Sequence, residues 1–225
     1  MSPLLYLYAL VDDDPTGSLG EGIAGEPLRL VHRGGIAAVV GDLDSRPRPE
    51  PEALQRQDAV VRHLAEIFGA LLPARFGEAF ADEAALAERI SPRAKDLSSA
   101  LTLVRDCVQM TLRVFGDPDG IAEAAADLSG GPGTQYLETR RRERERARSL
   151  PEIDSLREAL RPLLRAERIE RHEAGRLLGT AYHLVPRAQT GAYLAVLEKS
   201  EEVRGHRIAA SGPWPAYAFA PEAAP

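Results

Sequence analysis

The sequence has a single cysteine, only two lysines and no asparagine among its 225 residues. One cysteine excludes an intrachain disulfide, and it excludes zinc sites that are built from several cysteines. The absence of asparagine excludes N-linked glycosylation. No apolar run reaches the length of a membrane-spanning helix, and no cationic segment precedes the apolar stretch at the N-terminus. We therefore expect a cytoplasmic protein without a membrane anchor.

Charged residues of both signs are plentiful, and the acids outnumber the bases. The 34 acidic and 28 basic side chains give a formal net charge of −6, and 44% of the residues are hydrophobic. This apolar content is typical of a folded globular protein. A negative net charge provides no overall attraction to nucleic acid or to anionic lipid. The length fits one large domain or two small ones.

The first half of the sequence predicts short strands followed by helices. The apolar run at residues 4–11 predicts a strand buried on both faces, and residues 27–43 predict a hairpin that turns at Gly34-Gly35. Pro51 marks the first turn of a helix, and Ser91-Pro92 predicts the N-cap and first residue of another. The residues expected to form the buried stripe of the first helix are Leu54, Val61, Leu64 and Phe68.

The second half predicts a βαββαβ order, which is that of the ferredoxin-like motif. Residues 108–115 alternate apolar and polar side chains, which predicts a half-buried strand. A long polar helix is expected from residue 134, then a hairpin at 169–185, a helix at 189–203 and a strand at 206–210. We therefore expect an α+β protein of two domains. These are a mixed α+β unit at residues 1–105 and a ferredoxin-like domain at residues 106–225, which ends in a tail rich in proline and aromatic residues.

No residues stand at the spacings that catalysis or metal binding requires. Cys107 is expected where a helix passes into a strand, and we interpret it as a small buried apolar side chain. The five histidines lack the spacing of metal ligands, although His183 and His206 would come close if their strands paired. The glycines before Thr134 lack the lysine of a phosphate-binding loop, so a hinge is the better interpretation. From these residues we expect no catalytic residue, no cofactor and no metal.

Two segments are unusual enough to mark interaction surfaces. Residues 140–148 carry six arginines, but Glu138 and Glu145 each stand four residues from an arginine and neutralise part of that charge. No aromatic residues interleave with the arginines to stack on bases. A solvated helix face or a surface for an acidic protein partner is therefore favoured. The tail spaces Trp214 and Tyr217 with prolines and small residues, and we expect it to pack on its own sheet or to dock on a partner.

Six segments in order resemble the gas vesicle protein F/L family, whose members are accessory proteins of gas vesicle assembly. One of them is Leu72-Pro73-Ala74-Arg75-Phe76-Gly77, which Glu78 follows where the family often has threonine. The matching segments are residues 5–11, 28–40, 72–77, 110–116, 131–142 and 211–219. The resemblance covers nearly the whole chain, and six ordered matches are specific where a single one is not.

The resemblance implies the two domains expected above and no enzymatic activity. It implies a minor vesicle component that binds the small hydrophobic shell protein and other accessory proteins, and that promotes their assembly. A shell subunit with an apolar face would aggregate in water, and a chaperone-like partner that adds to a sheet edge would cover such a face. The residues that we expect to contact partners are Arg75, Phe76, Gly77, Tyr136, Arg140, Arg141, Arg142, Trp214 and Tyr217.

Two other functions stay open at this point. The arginine-rich run at residues 140–148 would suit a nucleic-acid-binding protein, whose affinity would fall steeply with salt. A ferredoxin-like domain would also suit a regulatory protein that binds a small molecule, and such a ligand would raise the melting temperature. Fold alone does not separate these functions.

Overall fold

The structure, a computed structural model, describes residues 3–12, 15, 17–116, 149–172, 175–199, 202–203 and 206–221. The chain divides into two compact units. The first unit runs to Gln109 and also includes the tail from Trp214 onward, and the second unit contains residues 110–213. The expected division before residue 106 lies close to this one, but the tail groups with the first unit rather than with the second.

The sheet of the first unit is built around the N-terminal strand. Its five strands are β1 (Leu4–Val11), β2 (Arg29–Arg33), β3 (Ile36–Leu43), β4 (Leu71–Pro73) and β5 (Ala79–Phe80). β1 pairs antiparallel with β3 along one edge and with β4 and β5 along the other. Seven of the eight residues of β1 are buried, as its continuous apolar sequence predicts for a central strand.

β2 and β3 form the expected hairpin. Arg33 lies opposite Ile36, so the turn between the strands consists of Gly34 and Gly35. The φ angles of these glycines are 60° and 81°. A two-residue turn with positive φ at both positions matches the twist of the paired strands, and residues with a Cβ rarely adopt it.

Three helices accompany this sheet: α1 (Pro51–Ile67), α2 (Glu83–Ile90) and α3 (Ala94–Val104). α1 buries Val61 and Leu64 in the core, with Phe68 following at its C-terminus. Gln57 is also buried, whereas Leu54 is 43% exposed. The predicted stripe is therefore correct at three positions and wrong at Leu54. Periodicity indicates which side of a helix is apolar, but not how far along the helix the core extends.

Ser91 does not cap the start of a helix, so that prediction is wrong. Ser91–Arg93 forms a 3₁₀ turn that joins α2 directly to α3. The Ser91 hydroxyl donates a hydrogen bond to the Ala87 carbonyl at 2.7 Å, at the end of α2. Its backbone is helical, with φ of −57°, and an N-cap residue instead needs extended backbone. Asp82 has that conformation and caps α2 through the Ala85 N–H.

The second unit contains a second sheet and two helices within the described residues. The strands of this sheet are β6 (Cys107–Phe115), β7 (Ala166–Arg171), β8 (Leu177–Pro186), β9 (Glu202–Val203) and β10 (His206–Trp214), in the spatial order β7-β8-β6-β10-β9. Residues 107–109 of β6 and the last residue of β10 belong to the first unit. α4 (Asp154–Leu160) precedes β7, and α5 (Thr190–Glu198) follows β8. The α+β class is confirmed, and the strand order is compatible with the expected ferredoxin-like arrangement.

Two expectations for this unit need correction. The last helix ends at Glu198 rather than at residue 203, because Glu202–Val203 forms a strand that pairs with β10. β6 is buried more completely than its alternating sequence predicts. Gln109 and Thr111 are each 5% exposed, so β6 is not half-buried. The Gln109 side-chain carbonyl accepts a hydrogen bond from the Ala218 N–H at 2.7 Å, a partner 109 residues away in the sequence.

Candidate partner-binding surface

A tight turn between β4 and β5 holds three of the residues expected to contact a partner. The Glu78 N–H donates to the Arg75 carbonyl at 3.2 Å and closes a four-residue turn. Gly77 occupies the third position of this turn with a φ of 82°. Turns with positive φ at that position select glycine, because a Cβ there strains the backbone.

The buried hydroxyl of Tyr6 supports this turn from the core. It accepts a hydrogen bond from the Gly77 N–H at 2.9 Å and donates one to the Gln57 side chain on α1. The Gln57 amide donates in turn to the Ala74 carbonyl at 3.3 Å. Tyr6 is 0% exposed, and burial raises the pKa of its hydroxyl. The hydroxyl therefore stays protonated at neutral pH and keeps both hydrogen bonds.

The same turn presents a charged side chain to solvent. Arg75 is exposed, and Phe76 and Gly77 are half-buried. Within the described part of the chain, the Arg75 guanidinium has no ion pair and no hydrogen bond. The backbone of the turn is held at its far end as well, since the Leu7 N–H donates to the Glu78 carbonyl at 2.9 Å. The turn thus combines a fixed backbone with a cationic side chain that has no partner among the described residues.

The aromatic tail packs on α1 rather than on a sheet face alone. The Arg62 guanidinium lies over the Trp214 ring, 4.2 Å from its centroid. Arg62 also pairs with Asp58 at 2.7 Å, and Asp58 accepts a hydrogen bond from the Tyr217 hydroxyl at 3.1 Å. A cation over an indole ring adds about 0.5–1 kcal/mol at exposed sites. The two aromatic residues therefore share one Asp58–Arg62 pair on the helix.

The tail is also tied to the interior of the first unit. Its Ala218 N–H makes the hydrogen bond to the buried Gln109 described above. The 3₁₀ turn Tyr217–Phe219 contacts β4. Tyr217 remains 39% exposed, and partial burial, followed by the charge of Asp58, raises the pKa of its hydroxyl. One side of Tyr217 thus holds the tail in place while the other faces solvent.

A chain of polar side chains crosses the second unit from its surface to its core. Arg157 on α4 pairs with Asp154 at 3.1 Å and with Glu167 on β7 at 2.6 Å. Glu167 lies 3.0 Å from His183 Nε2, and His183 Nδ1 lies 2.7 Å from the Tyr193 hydroxyl on α5. An imidazole that carries its proton on Nε2 satisfies both contacts.

This network joins secondary-structure elements, and its outer residues Asp154, Arg157 and Glu167 line an open pocket of about 560 Å³. Burial alone would raise the pKa of Glu167, but hydrogen bonds from His183 and Arg157 outweigh it and lower that pKa to about 2. His183 and Tyr193 are both 0% exposed, so a ligand in solution does not reach them. Burial and the charge of Glu167 raise the pKa of Tyr193. The network links α4, β7, β8 and α5 through satisfied polar groups.

The two histidines that would come close if their strands paired lie on separate strands. His183 and His206 lie on β8 and β10, which flank β6 and do not pair, so the two histidines are not brought together as neighbours. Among the residues that the structure describes, no three metal-binding side chains form a cluster, and no helix is long and apolar enough to cross a membrane. Four of the predicted contact residues lie outside the described residues, namely Tyr136, Arg140, Arg141 and Arg142. The glycine hinge predicted at 130–133 lies outside them as well.

The sequence of this chain matches a known protein family. Residues 4–221 match the family described as gas vesicle synthesis protein GvpL/GvpF. This chain belongs to the gas vesicle F/L family. The resemblance seen in the six sequence segments is therefore confirmed, and it extends across both units.

The relatives of this gas vesicle F/L chain include both types of the family. Gas vesicle protein L2 of Halobacterium salinarum is 28% identical, with 96% of this chain and 91% of the relative covered. Gas vesicle protein F of a Streptomyces species is 25% identical, with 89% and 90% covered. Gas vesicle protein L of the same species is 27% identical, with 96% and 92% covered. Similar identities to both types do not assign this chain to either.

Solved structures of gas vesicle protein GvpF share the fold. The crystal structure of the protein from an Anabaena species has a TM-score of 0.74 at 16% identity, with 98% of this chain and 97% of that chain covered. The structure from Microcystis aeruginosa has a TM-score of 0.72 at 17% identity, with 97% and 99% covered. At these identities the likeness shows the common fold.

Sequence reasoning missed the side chains that hold the candidate surface of this gas vesicle F/L chain. Gln57 falls on the apolar stripe of α1, and a polar residue at such a position is a signal that could have been read. Tyr6 lies in an apolar run, and nothing local shows that its hydroxyl supports a turn 71 residues later. The Glu167–His183 contact needs the pairing of β7 with β8, which spacing alone does not supply.

Proposed function

We propose that this gas vesicle F/L chain is a non-enzymatic accessory protein that binds the hydrophobic shell protein and promotes its assembly in the cytoplasm. The observation that carries the proposal is the match to the gas vesicle synthesis family across residues 4–221. A match of this extent includes both units, so the family role applies to the protein as a whole. Other accessory proteins of the vesicle are further partners under this proposal.

The first unit supplies the surface that we assign to partner binding. The turn at residues 75–78 offers an exposed arginine beside a half-buried phenylalanine on a fixed backbone. Arginine and aromatic residues are enriched at the centres of protein interfaces. Because the turn keeps its conformation, little conformational entropy is lost when a partner binds to it.

A second contact region lies where the tail meets α1. Leu54 and Tyr217 are 43% and 39% exposed, respectively. Leu54 stands four residues before Asp58 on α1, and Asp58 binds the Tyr217 hydroxyl. Residues four apart lie on the same side of a helix, so this region combines apolar and aromatic groups. Such a surface suits a shell subunit whose apolar face must be shielded from water.

The buried polar network of the second unit supports a binding role rather than a catalytic one. Its ion pairs and hydrogen bonds satisfy one another, and its histidine and its innermost tyrosine are fully buried. A general acid or base must reach its substrate within hydrogen-bond distance. The network therefore serves the stability of the unit that carries it.

Co-expression with the shell protein tests the proposal. The tagged full chain is purified from nuclease-treated lysate, so that nucleic acid does not bridge the two proteins. Retention of the shell protein on the tagged chain, and a larger fraction of shell protein in the supernatant after centrifugation, are the expected results. A soluble acidic protein of similar size serves as the control. If both proteins are folded and no association is detected, the proposed function is wrong.

A further inference from the structure

The arginines of the first unit differ in whether their side chains have partners. Ten arginines lie in its described residues, and eight of them take part in hydrogen bonds, ion pairs or other interactions. The two without a side-chain partner are Arg48 and Arg75. Both are exposed. They differ in the backbone that carries them.

Arg48 lies in the proline-rich segment between β3 and α1, where its carbonyl accepts one backbone hydrogen bond, from the Glu50 N–H at 2.8 Å. Arg75 instead begins a turn whose backbone is bound at several points. The Arg75 carbonyl accepts a hydrogen bond from the Glu78 N–H at 3.2 Å. The Gly77 N–H, two residues after Arg75, donates to the buried Tyr6 hydroxyl at 2.9 Å. Arg75 therefore combines a fixed backbone position with an unoccupied guanidinium.

Charged groups of both signs surround the turn, so the preference for an acidic ligand comes from the Arg75 guanidinium itself. A second guanidinium, that of Arg46, donates to the Ala79 carbonyl at 3.1 Å, directly after the turn. Glu78 is the acidic residue of the turn, and no ion pair links it to Arg75 within the described residues. Arginine presents paired N–H groups that match the two oxygens of a carboxylate, and such charge-assisted pairs are stronger than neutral hydrogen bonds.

We propose that Arg75 is the residue through which the first unit binds a carboxylate of its protein partner, an aspartate or glutamate side chain on the surface of the shell subunit. This inference rests on the proposed function. Phe76, half-buried next to Arg75, supplies an apolar contact beside the ion pair. Tyr6 and Gln57 act as positioning residues, because they hold the turn without reaching the partner.

Substitutions of the two unpartnered arginines test the assignment in the full chain. Arg75→Ala, Arg75→Lys and Arg75→Glu are compared with Arg48→Ala, which removes the same exposed charge from a segment that lacks the fixed turn. Binding of the co-expressed shell protein is quantified as the amount retained at several salt concentrations. Circular dichroism and the melting temperature are measured for each variant. All are expected to match the wild type, because neither side chain has a partner in the described part of the chain.

The expected result is at least a tenfold loss of binding for Arg75→Ala and a larger loss for Arg75→Glu. Arg75→Lys is intermediate, because lysine keeps the charge without the paired geometry. Arg48→Ala stays within twofold of wild type, and the salt dependence of binding is weaker for Arg75→Ala than for wild type. Replacement of the partner carboxylate by arginine restores binding to Arg75→Glu.

Three outcomes separate this inference from the proposed function. If the wild-type chain retains the shell protein and Arg75→Ala binds within twofold of it, the assignment of Arg75 is overturned while the proposed function stands. If Arg48→Ala loses as much binding as Arg75→Ala, the effect is one of net charge, and the assignment is overturned too. If the wild-type chain retains no shell protein, the proposed function itself fails.

Discussion

Glu167→Gln is the substitution that tests the buried network of the second unit most directly. Glutamine keeps the size of the side chain and one acceptor oxygen, but it removes the charge that Arg157 and His183 bind. Glu167 accepts from Arg157 Nη2 at 2.6 Å and from His183 Nε2 at 3.0 Å. Arg157 Nε also donates to Glu167 at 3.0 Å, so the substitution weakens at least three charge-assisted hydrogen bonds in one step while it leaves the packing of β7 on β8 in place.

The pKa of Glu167 gives the size of the expected effect. The folded protein lowers this pKa from 4.5 to about 2. Each unit of pKa shift corresponds to about 1.4 kcal/mol, so ionised Glu167 contributes about 3 kcal/mol to the stability of the second unit. The Glu167 side chain is 21% exposed, so screening by solvent removes only a small part of this free energy.

The sign of the pH dependence follows from the lowered pKa. The unfolded chain binds the proton more tightly than the folded chain, so the contribution is fully present above about pH 5. It is lost as the pH falls from about 4.5 towards 2, at a rate approaching about 1.4 kcal/mol per pH unit. The free energies of unfolding of wild type and Glu167→Gln should therefore differ by about 3 kcal/mol at pH 7 and by about 1.5 kcal/mol at pH 3, and they should converge below about pH 2.

Two probes separate the units in this experiment. Hydrogen exchange at the amides of β7 and β8 reports the stability of the second unit. The single tryptophan, Trp214, lies in the first unit, so its fluorescence in urea reports the other unfolding transition. Glu158→Gln is the matched control, because Glu158 is an exposed glutamate on α4 without an ion pair in the described residues.

Two results would refute this reasoning. One is a difference between wild type and Glu167→Gln that stays constant from pH 7 to pH 3. The other is a Glu167→Gln variant within about 0.5 kcal/mol of wild type at pH 7, the scatter expected of ordinary surface substitutions. Glu158→Gln should show neither a loss of stability nor a pH trend.

Four further substitutions test the first unit by urea unfolding followed through Trp214. Gly77→Ala should lower stability by about 1 kcal/mol, because its φ is 82° and the added Cβ meets no atom within 4 Å, so backbone strain is the cost; an unchanged midpoint would contradict this. Leu64→Ala should cost about 3 kcal/mol because Leu64 is 0% exposed, whereas Leu54→Ala, at 43% exposure, should cost less than about 0.5 kcal/mol; equal losses would show that α1 packs differently. Tyr217→Phe removes the hydrogen bond to Asp58 and should cost about 0.5 kcal/mol, with a change in the Trp214 emission; a variant indistinguishable from wild type would mean that this bond does not hold the tail.

The strands of the first unit could be predicted because their signals are local. The apolar run of β1 shows burial on both faces, and the paired glycines at 34 and 35 show where the hairpin turns. Each of these signals depends on residues within a few positions of one another. Local chemistry therefore accounts for these elements.

The burial of β6 could not be predicted, because its cause is distant. Gln109 and Thr111 alternate with apolar residues, which indicates a solvent-facing side. The tail accounts for one of these two positions, because the Ala218 N–H donates to Gln109. The support of the Arg75 turn by Tyr6 could not be predicted for the same reason, because Tyr6 and the turn are far apart in the sequence. Recognition of the Arg75-Phe76-Gly77 motif located the turn, but its hydrogen-bond support became visible only with the fold.

The return of the tail to the first unit has a consequence for synthesis on the ribosome. Gln109 is made before residues 110–213, and Ala218, which caps it, is made after them. At roughly 5–20 residues per second, the ribosome needs about 5–20 s to cover that interval. During this time the Gln109 side chain lacks the hydrogen bond that the Ala218 N–H donates to it in the folded protein. A chain whose synthesis stops before Ala218 does not form this hydrogen bond. The packed tail therefore distinguishes chains that include Ala218 from chains that were interrupted earlier.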